Sequence, residues 1–66
     1  MLNLSDKATF FIFLLEKYAE RKSMSASKIL KIWEKAELID YINAMYEQYH
    51  TERIENAIED IDRKLS

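Results

Sequence analysis

The sequence predicts an all-α fold, a compact bundle of three to four short helices, and three observations carry that prediction. Apolar residues recur at spacings of three and four along nearly the whole chain, the pattern of helices with one buried face. No stretch alternates apolar and polar residues as a half-buried strand would. The 66 residues include no glycine and no proline, so serine and threonine are the natural punctuation between helices.

A first helix is expected from about Asp6 to Lys22, with Ser5 as its N-cap. Phe11, Leu14, Leu15 and Tyr18 follow the spacing of a core face. Phe10, Ile12 and Phe13 extend the apolar surface nearly all round the cylinder. Two compatible readings account for this excess. Either the helix is central and touches every other helix, or Phe10, Ile12 and Phe13 face another chain.

The link Ser23-Met24-Ser25 offers two caps, of which Ser25 is the better placed. A second helix then spans about Ala26 to Lys35, with Ala26, Ile29, Leu30, Trp33 and Ala36 inward and Lys28, Lys31, Glu34 and Lys35 outward. A third starts near Leu38 or Ile39 and ends near Tyr49, on a stripe of Leu38, Ile42, Met45 and Tyr49. Lacking glycine or proline between them, helices two and three are either separate or continuous. Thr51 is expected to cap a fourth helix, with Glu52 in its first turn, where a carboxylate suits the helix dipole. Its inward face is Ile54, Ala57, Ile58, Ile61 and Leu65, and Glu52, Glu55, Glu59 and Asp62 recur on an outer face.

A chain this short makes one domain, residues 1–66, with a limited core. A domain of this size buries only ~60% of its unfolded surface. Such a core rarely supplies more than ~3–5 kcal/mol without disulfides, metal or a partner. No cysteine is present, which removes disulfides and thiolate metal sites and fits a reducing cytoplasm. The apolar run stops at Leu15 and follows Asp6 and Lys7. It therefore falls short of the ~20 residues that span a bilayer and lacks the cationic start of a signal peptide. A partner chain, or a second copy, remains as the stabilising device.

Charge is unevenly placed. Residues 1–35 carry a net +3 and residues 36–66 a net −5, within a total of −2. Such asymmetry steers or orients a partner.

The chemistry-bearing patterns are weak. Without glycine, phosphate loops and dinucleotide fingerprints are excluded. Glu47 and His50 have the E-x-x-H spacing of di-iron bundles, but such a site needs that pair twice, and the chain has one histidine. His50 is better read as satisfying a backbone carbonyl or packing on a helix end. A hydrolytic triad would need a water-excluding pocket that so small a bundle has little room to build. The acidic row Glu52, Glu55, Glu59, Asp60 and Asp62 lacks the loop and glycine of a calcium site. It reads as a solvated face or as one complementary to a basic partner. Lys17, Arg21, Lys22, Lys28, Lys31 and Lys35 form a basic cluster, yet Glu16, Glu20 and Glu34 interleave with it and the pI is near 5.3. That balance argues against nucleic acid. The expectation is no catalysis, no metal and no cofactor. Eight aromatic side chains suffice for both a core and an interface anchor.

The order of several segments resembles a family of short bacterial helical domains, the domain of unknown function 3791 family. The matching pieces are Glu16 to Ala19, Ser25 before an apolar helix, Leu38-Ile39-Asp40-Tyr41, Tyr46 to Thr51, and Ile58-Glu59-Asp60-Ile61-Asp62, covering roughly residues 10–64. The resemblance places a glycine before the L-I-D-Y segment and another after His-Thr. Glu37 fills the first place here, and the second lies within Glu52-Arg53. It also implies a gene lying beside one for an ADP-ribosyltransferase-like protein, an arrangement similar to a toxin with its antitoxin.

Together these expectations describe a non-catalytic interaction module, an antitoxin or accessory partner by the resemblance. Its anchors would be Phe10, Ile12 and Phe13, and its rim charges Glu55, Glu59 and Asp62. A small helical DNA-binding regulator and a structural homo-oligomer are the rival readings.

Overall fold

The computed structural model describes residues 4–66, and their side chains from Asp6 onward. Five helices follow one another: α1 (Leu4–Lys22), α2 (Ala26–Lys35), α3 (Ile39–Ala44), α4 (Tyr46–Tyr49) and α5 (Ile54–Leu65). They form the expected all-α bundle, with the third predicted helix divided in two. Ser5 lies inside α1 rather than capping it.

The long α1 packs against each of the other four helices. Its inward stripe of Leu14, Leu15, Tyr18 and Ala19 is buried, and Phe10 and Phe11 are half-buried against the core. Centrality therefore explains much of the apolar run, though not Ile12 and Phe13, which remain 53% and 45% exposed. Ile29 and Trp33 enter from α2, Ile42 and Tyr49 from α3 and α4, and Ala57, Ile58 and Ile61 from α5. Ala36, expected inward, is the exposed C-cap of α2.

Helix ends explain how a chain without glycine turns. Ser23 and Glu37 adopt left-handed φ values of 57° and 61°. Behind each lies the double hydrogen bond of a Schellman end. The Met24 N–H donates to the Ala19 carbonyl and Ser23 N–H to Glu20, at 3.0 and 3.1 Å. Leu38 N–H donates to the Trp33 carbonyl at 2.9 Å and Glu37 N–H to Glu34 at 3.0 Å. Leu38 and Trp33 are both buried, supplying the apolar contact that locks such an end. Helices α2 and α3 are thus separate, and Glu37 stands where the backbone favours glycine. The second place, Glu52-Arg53, has no left-handed residue, so nothing there calls for one.

Ser25 caps α2 as expected, its Oγ accepting the Lys28 N–H at 3.1 Å. Thr51 does not cap α5. Its hydroxyl donates back to the Gln48 carbonyl at 2.9 Å, closing α4, and Arg53 occupies the N-cap of α5 without a side-chain bond. Glu52 is left outside the helix and Glu55 takes the first turn. At Met45 one N–H is shared between the Tyr41 and Ile42 carbonyls, which tightens the end of α3 and divides the helix.

A left-handed conformation costs a side-chain-bearing residue ~1–2 kcal/mol, partly offset by the extra chain entropy that glycine loses on folding. Ser23→Gly and Glu37→Gly should each raise stability by about 0.5–1 kcal/mol, and the melting temperature by several degrees. Urea and thermal unfolding of the single and double variants measure this; unchanged or lower midpoints would contradict it.

Candidate functional site

Polar chemistry in this bundle is concentrated where α5 meets α1, α3 and α4, and it serves the fold. Asp60, half-buried on α5, accepts from the hydroxyls of Tyr41 at 2.7 Å and Tyr49 at 2.6 Å. Its other oxygen lies 3.4 Å from Arg63. Asp62 accepts from the Tyr18 hydroxyl and pairs with Lys22 at 3.0 Å. One aspartate therefore ties α5 to α3 and α4, and the other ties it to α1.

The electrostatics follow from those bonds. The Tyr49 and Tyr41 hydroxyls, with Arg63, hold Asp60 below the usual carboxylate range against the opposing effect of burial. Burial pushes Asp62 up, but the Tyr18 hydroxyl and the Lys22 ammonium outweigh it and the net shift is downward. Burial and the hydrogen bond to Asp60 push Tyr49 upward, and burial with the bond to Asp62 does the same for Tyr18.

These contacts separate the six expected partner-binding residues. Asp62 is a structural tie rather than an outward rim charge. Glu55 is shared between Arg21, 3.7 Å from one carboxylate oxygen, and Arg53, 3.6 Å from the other. Glu59 remains exposed, with no salt bridge among the described residues. Phe10 packs edge-on against Tyr46, with ring centroids 5.6 Å apart, and belongs to the body of the fold. Phe13 lies open under the Lys17 ammonium at 5.8 Å. Ile12 lines an open apolar groove of about 610 Å³ between α1 and α3, with Lys7, Ala8, Phe11, Ile39 and Asn43.

His50 behaves as a helix-end residue. Its Nδ1–H donates to the Tyr46 carbonyl at 2.8 Å and its ring stacks on Tyr46 at 4.4 Å. No cluster of three metal-ligating side chains exists among the described residues. A polar cleft of about 260 Å³ lies over Tyr41, Tyr49, Asp60 and Arg63, but these groups already satisfy one another. In the basic cluster, Lys17, Arg21 and Lys22 are paired with carboxylates, while Lys28, Lys31 and Lys35 are exposed along α2.

Sequence reading missed one constellation. Glu34, Glu37 and Asp40 surround a pocket with Ile39 at the junction of α2 and α3. Their regular spacing of three residues was the available signal.

Because both aspartates are more acidic folded than unfolded, their contribution is present above the unfolded pKa near 4 and is lost as pH falls through the folded value. The tyrosines work in the opposite sense. Their contribution is full below the unfolded pKa of ~10 and is lost as pH rises toward the folded value. Stability should therefore be flat between about pH 5 and 9 and fall on both sides. Asp60→Asn should cost about 1–3 kcal/mol near neutral pH and flatten the acid limb. Urea midpoints across pH measure this, and an acid limb unchanged in Asp60→Asn would exclude the tie.

No helix among the described residues is long and apolar enough to cross a membrane. No curated protein and no solved structure matches the chain. Residues 9–65 match the family described as protein of unknown function, DUF3791. The match spans α2 through α5 and most of α1, including the Schellman turns and both tyrosine–aspartate ties. This chain belongs to the DUF3791 family.

Proposed function

We propose that this domain is a small non-catalytic protein-binding module, acting as the antitoxin or accessory partner of an ADP-ribosyltransferase-like toxin. The observation that carries the binding role is the exposure of Ile12 and Phe13 on a helix whose opposite face is fully packed. Large apolar side chains left open beside a groove mark interaction sites more often than they serve a monomer. The non-catalytic reading is supported by the internal engagement of several polar groups: Asp60 with two tyrosines, Asp62 with Tyr18 and Lys22, His50 with a carbonyl. The toxin-directed form of the reading rests on the gene arrangement that the family resemblance implies.

Co-expression with the product of the adjacent gene tests it. A complex that co-purifies, and that suppresses toxicity of that product, supports the role. Free chains and undiminished toxicity would remove it. Sedimentation of the pure protein across a roughly hundredfold dilution separates this from the homo-oligomer reading, which requires mass-action dissociation.

The three hydrophobic candidates should separate experimentally. Ile12→Asp and Phe13→Asp should retain helix content and lose no more than about 1 kcal/mol of stability, since both sites are open. At least one of them should abolish the complex. Phe10→Asp should instead cost about 2–4 kcal/mol, because it places a charge against Tyr46 and the half-buried face of α1. Circular dichroism and thermal melts of the three variants, beside the co-purification assay, give the outcome.

A further inference from the structure

On α5 the fold engages Glu55, Asp60 and Asp62 and leaves Glu59 free, whereas a cluster of three free carboxylates lies at the junction of α2 and α3. Glu34, Glu37 and Asp40 are all exposed, and none enters a salt bridge among the described residues. They share a pocket with Ile39. Ile39 also lines the apolar groove that holds Ala8, Phe11 and Ile12. Ile39 is thus the residue that the apolar groove and the acidic pocket have in common.

Two features make the surface directional. The groove is aliphatic and aromatic along its floor, with Lys7 its only charged lining residue, so the acidic charge lies wholly beyond Ile39. Glu37 is held at φ 61°, a position where glycine would cost the backbone less. It is exposed and lies outside the hydrophobic core, so its charge is not required there.

We propose that this surface docks an amphipathic helical segment of a partner protein. Aliphatic side chains of the segment fill the groove at Ala8, Phe11, Ile12 and Ile39, and lysine or arginine side chains one turn further on meet Glu34, Glu37 and Asp40. The assignment rests on the protein-binding reading above and specifies its partner. Charge complementarity selects the occupant, since an acidic segment would be repelled at Glu37 and Asp40, and a purely apolar one would leave three carboxylates unmatched. The acidic row on α5, the obvious candidate from sequence, is mostly engaged internally.

A phage-displayed library of random peptides about sixteen residues long, enough for roughly four helical turns, provides the probe. The intact domain is the bait. Enriched peptides should carry aliphatic residues at spacings of three and four followed by lysine or arginine. Ile12→Glu should weaken a selected peptide by at least roughly tenfold. Glu37→Gln with Asp40→Asn should weaken it by roughly three- to tenfold and make binding less sensitive to salt. Glu37→Gly should raise the melting temperature while lowering affinity, separating the role of the charge from that of the backbone. Both Ile12→Glu and the Gln/Asn double variant alter exposed positions, and an unchanged melt verifies folding before affinity is read. Peptides that bind Ile12→Glu as well as the parent, or that depend on Glu59 instead, overturn the groove and leave the binding-module reading in place. Acidic consensus peptides, or no enrichment at all, also overturn the groove, whereas co-purification with the adjacent gene product judges the module itself. Self-association of the pure protein that is abolished by Ile12→Glu would put a second copy in the groove and displace the proposed partner.

Discussion

The fold depends on one fully buried side chain, the indole of Trp33. Its ring meets Phe11 and Tyr18 of α1 edge-on, at centroid distances of 5.8 and 5.5 Å. Edge-to-face aromatic pairs add to the burial of large apolar area, and an aromatic core residue is the single largest packing unit a small domain has. Trp33 also acts through its backbone, since its carbonyl accepts the Leu38 N–H and so fixes the turn into α3. Packing of α2 on α1 and the direction taken by the chain afterwards thus meet in one residue. The indole Nε1–H has no hydrogen-bond partner among the described residues. A buried donor left unmatched costs stability, and the burial of the ring opposes that cost.

Around that centre, polar groups divide into those the fold uses and those it leaves over. Tyr18, Tyr41 and Tyr49 present their rings to the core and their hydroxyls to two aspartates at its edge. This adds directional ties to the apolar face by which α5 closes onto three neighbours. Hydrogen bonds to a charged acceptor are stronger than neutral ones, and they are directional where hydrophobic contact is not. The same arrangement takes Asp60 and Asp62 out of contention for recognition. Charge on α2 and at its junction with α3 is not used in this way, and the open apolar groove lies beside it.

Helix ends are where sequence reading and structure part. Ala26 to Lys35 was legible to the residue because a serine cap precedes an uninterrupted amphipathic stretch. The link at Ser23-Met24-Ser25 was also legible, but the left-handed turn at Glu37 was not, because the usual marker of such a residue, glycine, is absent. Only the resemblance to related domains, which places a glycine at Glu37, pointed there. Thr51 was misread because a hydroxyl near a helix junction satisfies either the N–H groups ahead of it or the carbonyls behind it. Local sequence does not say which. Among the site residues, periodicity set Phe10, Ile12 and Phe13 off the core stripe without separating them; Ile12 and Phe13 stay exposed, whereas Phe10 packs on Tyr46 from α4.

The sequence by itself determined the fold class, the membership of α1, α2 and α5, and most of the core, because helical periodicity is a local property written into residues three and four apart. It also excluded glycine-dependent nucleotide sites and disulfides outright. Tertiary structure decided which charges are free. Asp62 and Glu59 look equivalent along the helix, yet Asp62 meets Tyr18, distant by 44 positions in the chain, while Glu59 meets solvent. Periodicity assigns a residue to a face of its own helix, but whether that face is covered depends on partners brought from elsewhere in the chain. The contact between Ile39 and both the groove and the acidic pocket has the same origin. It exists only because α3 folds back beside the start of α1, a juxtaposition that no local pattern encodes.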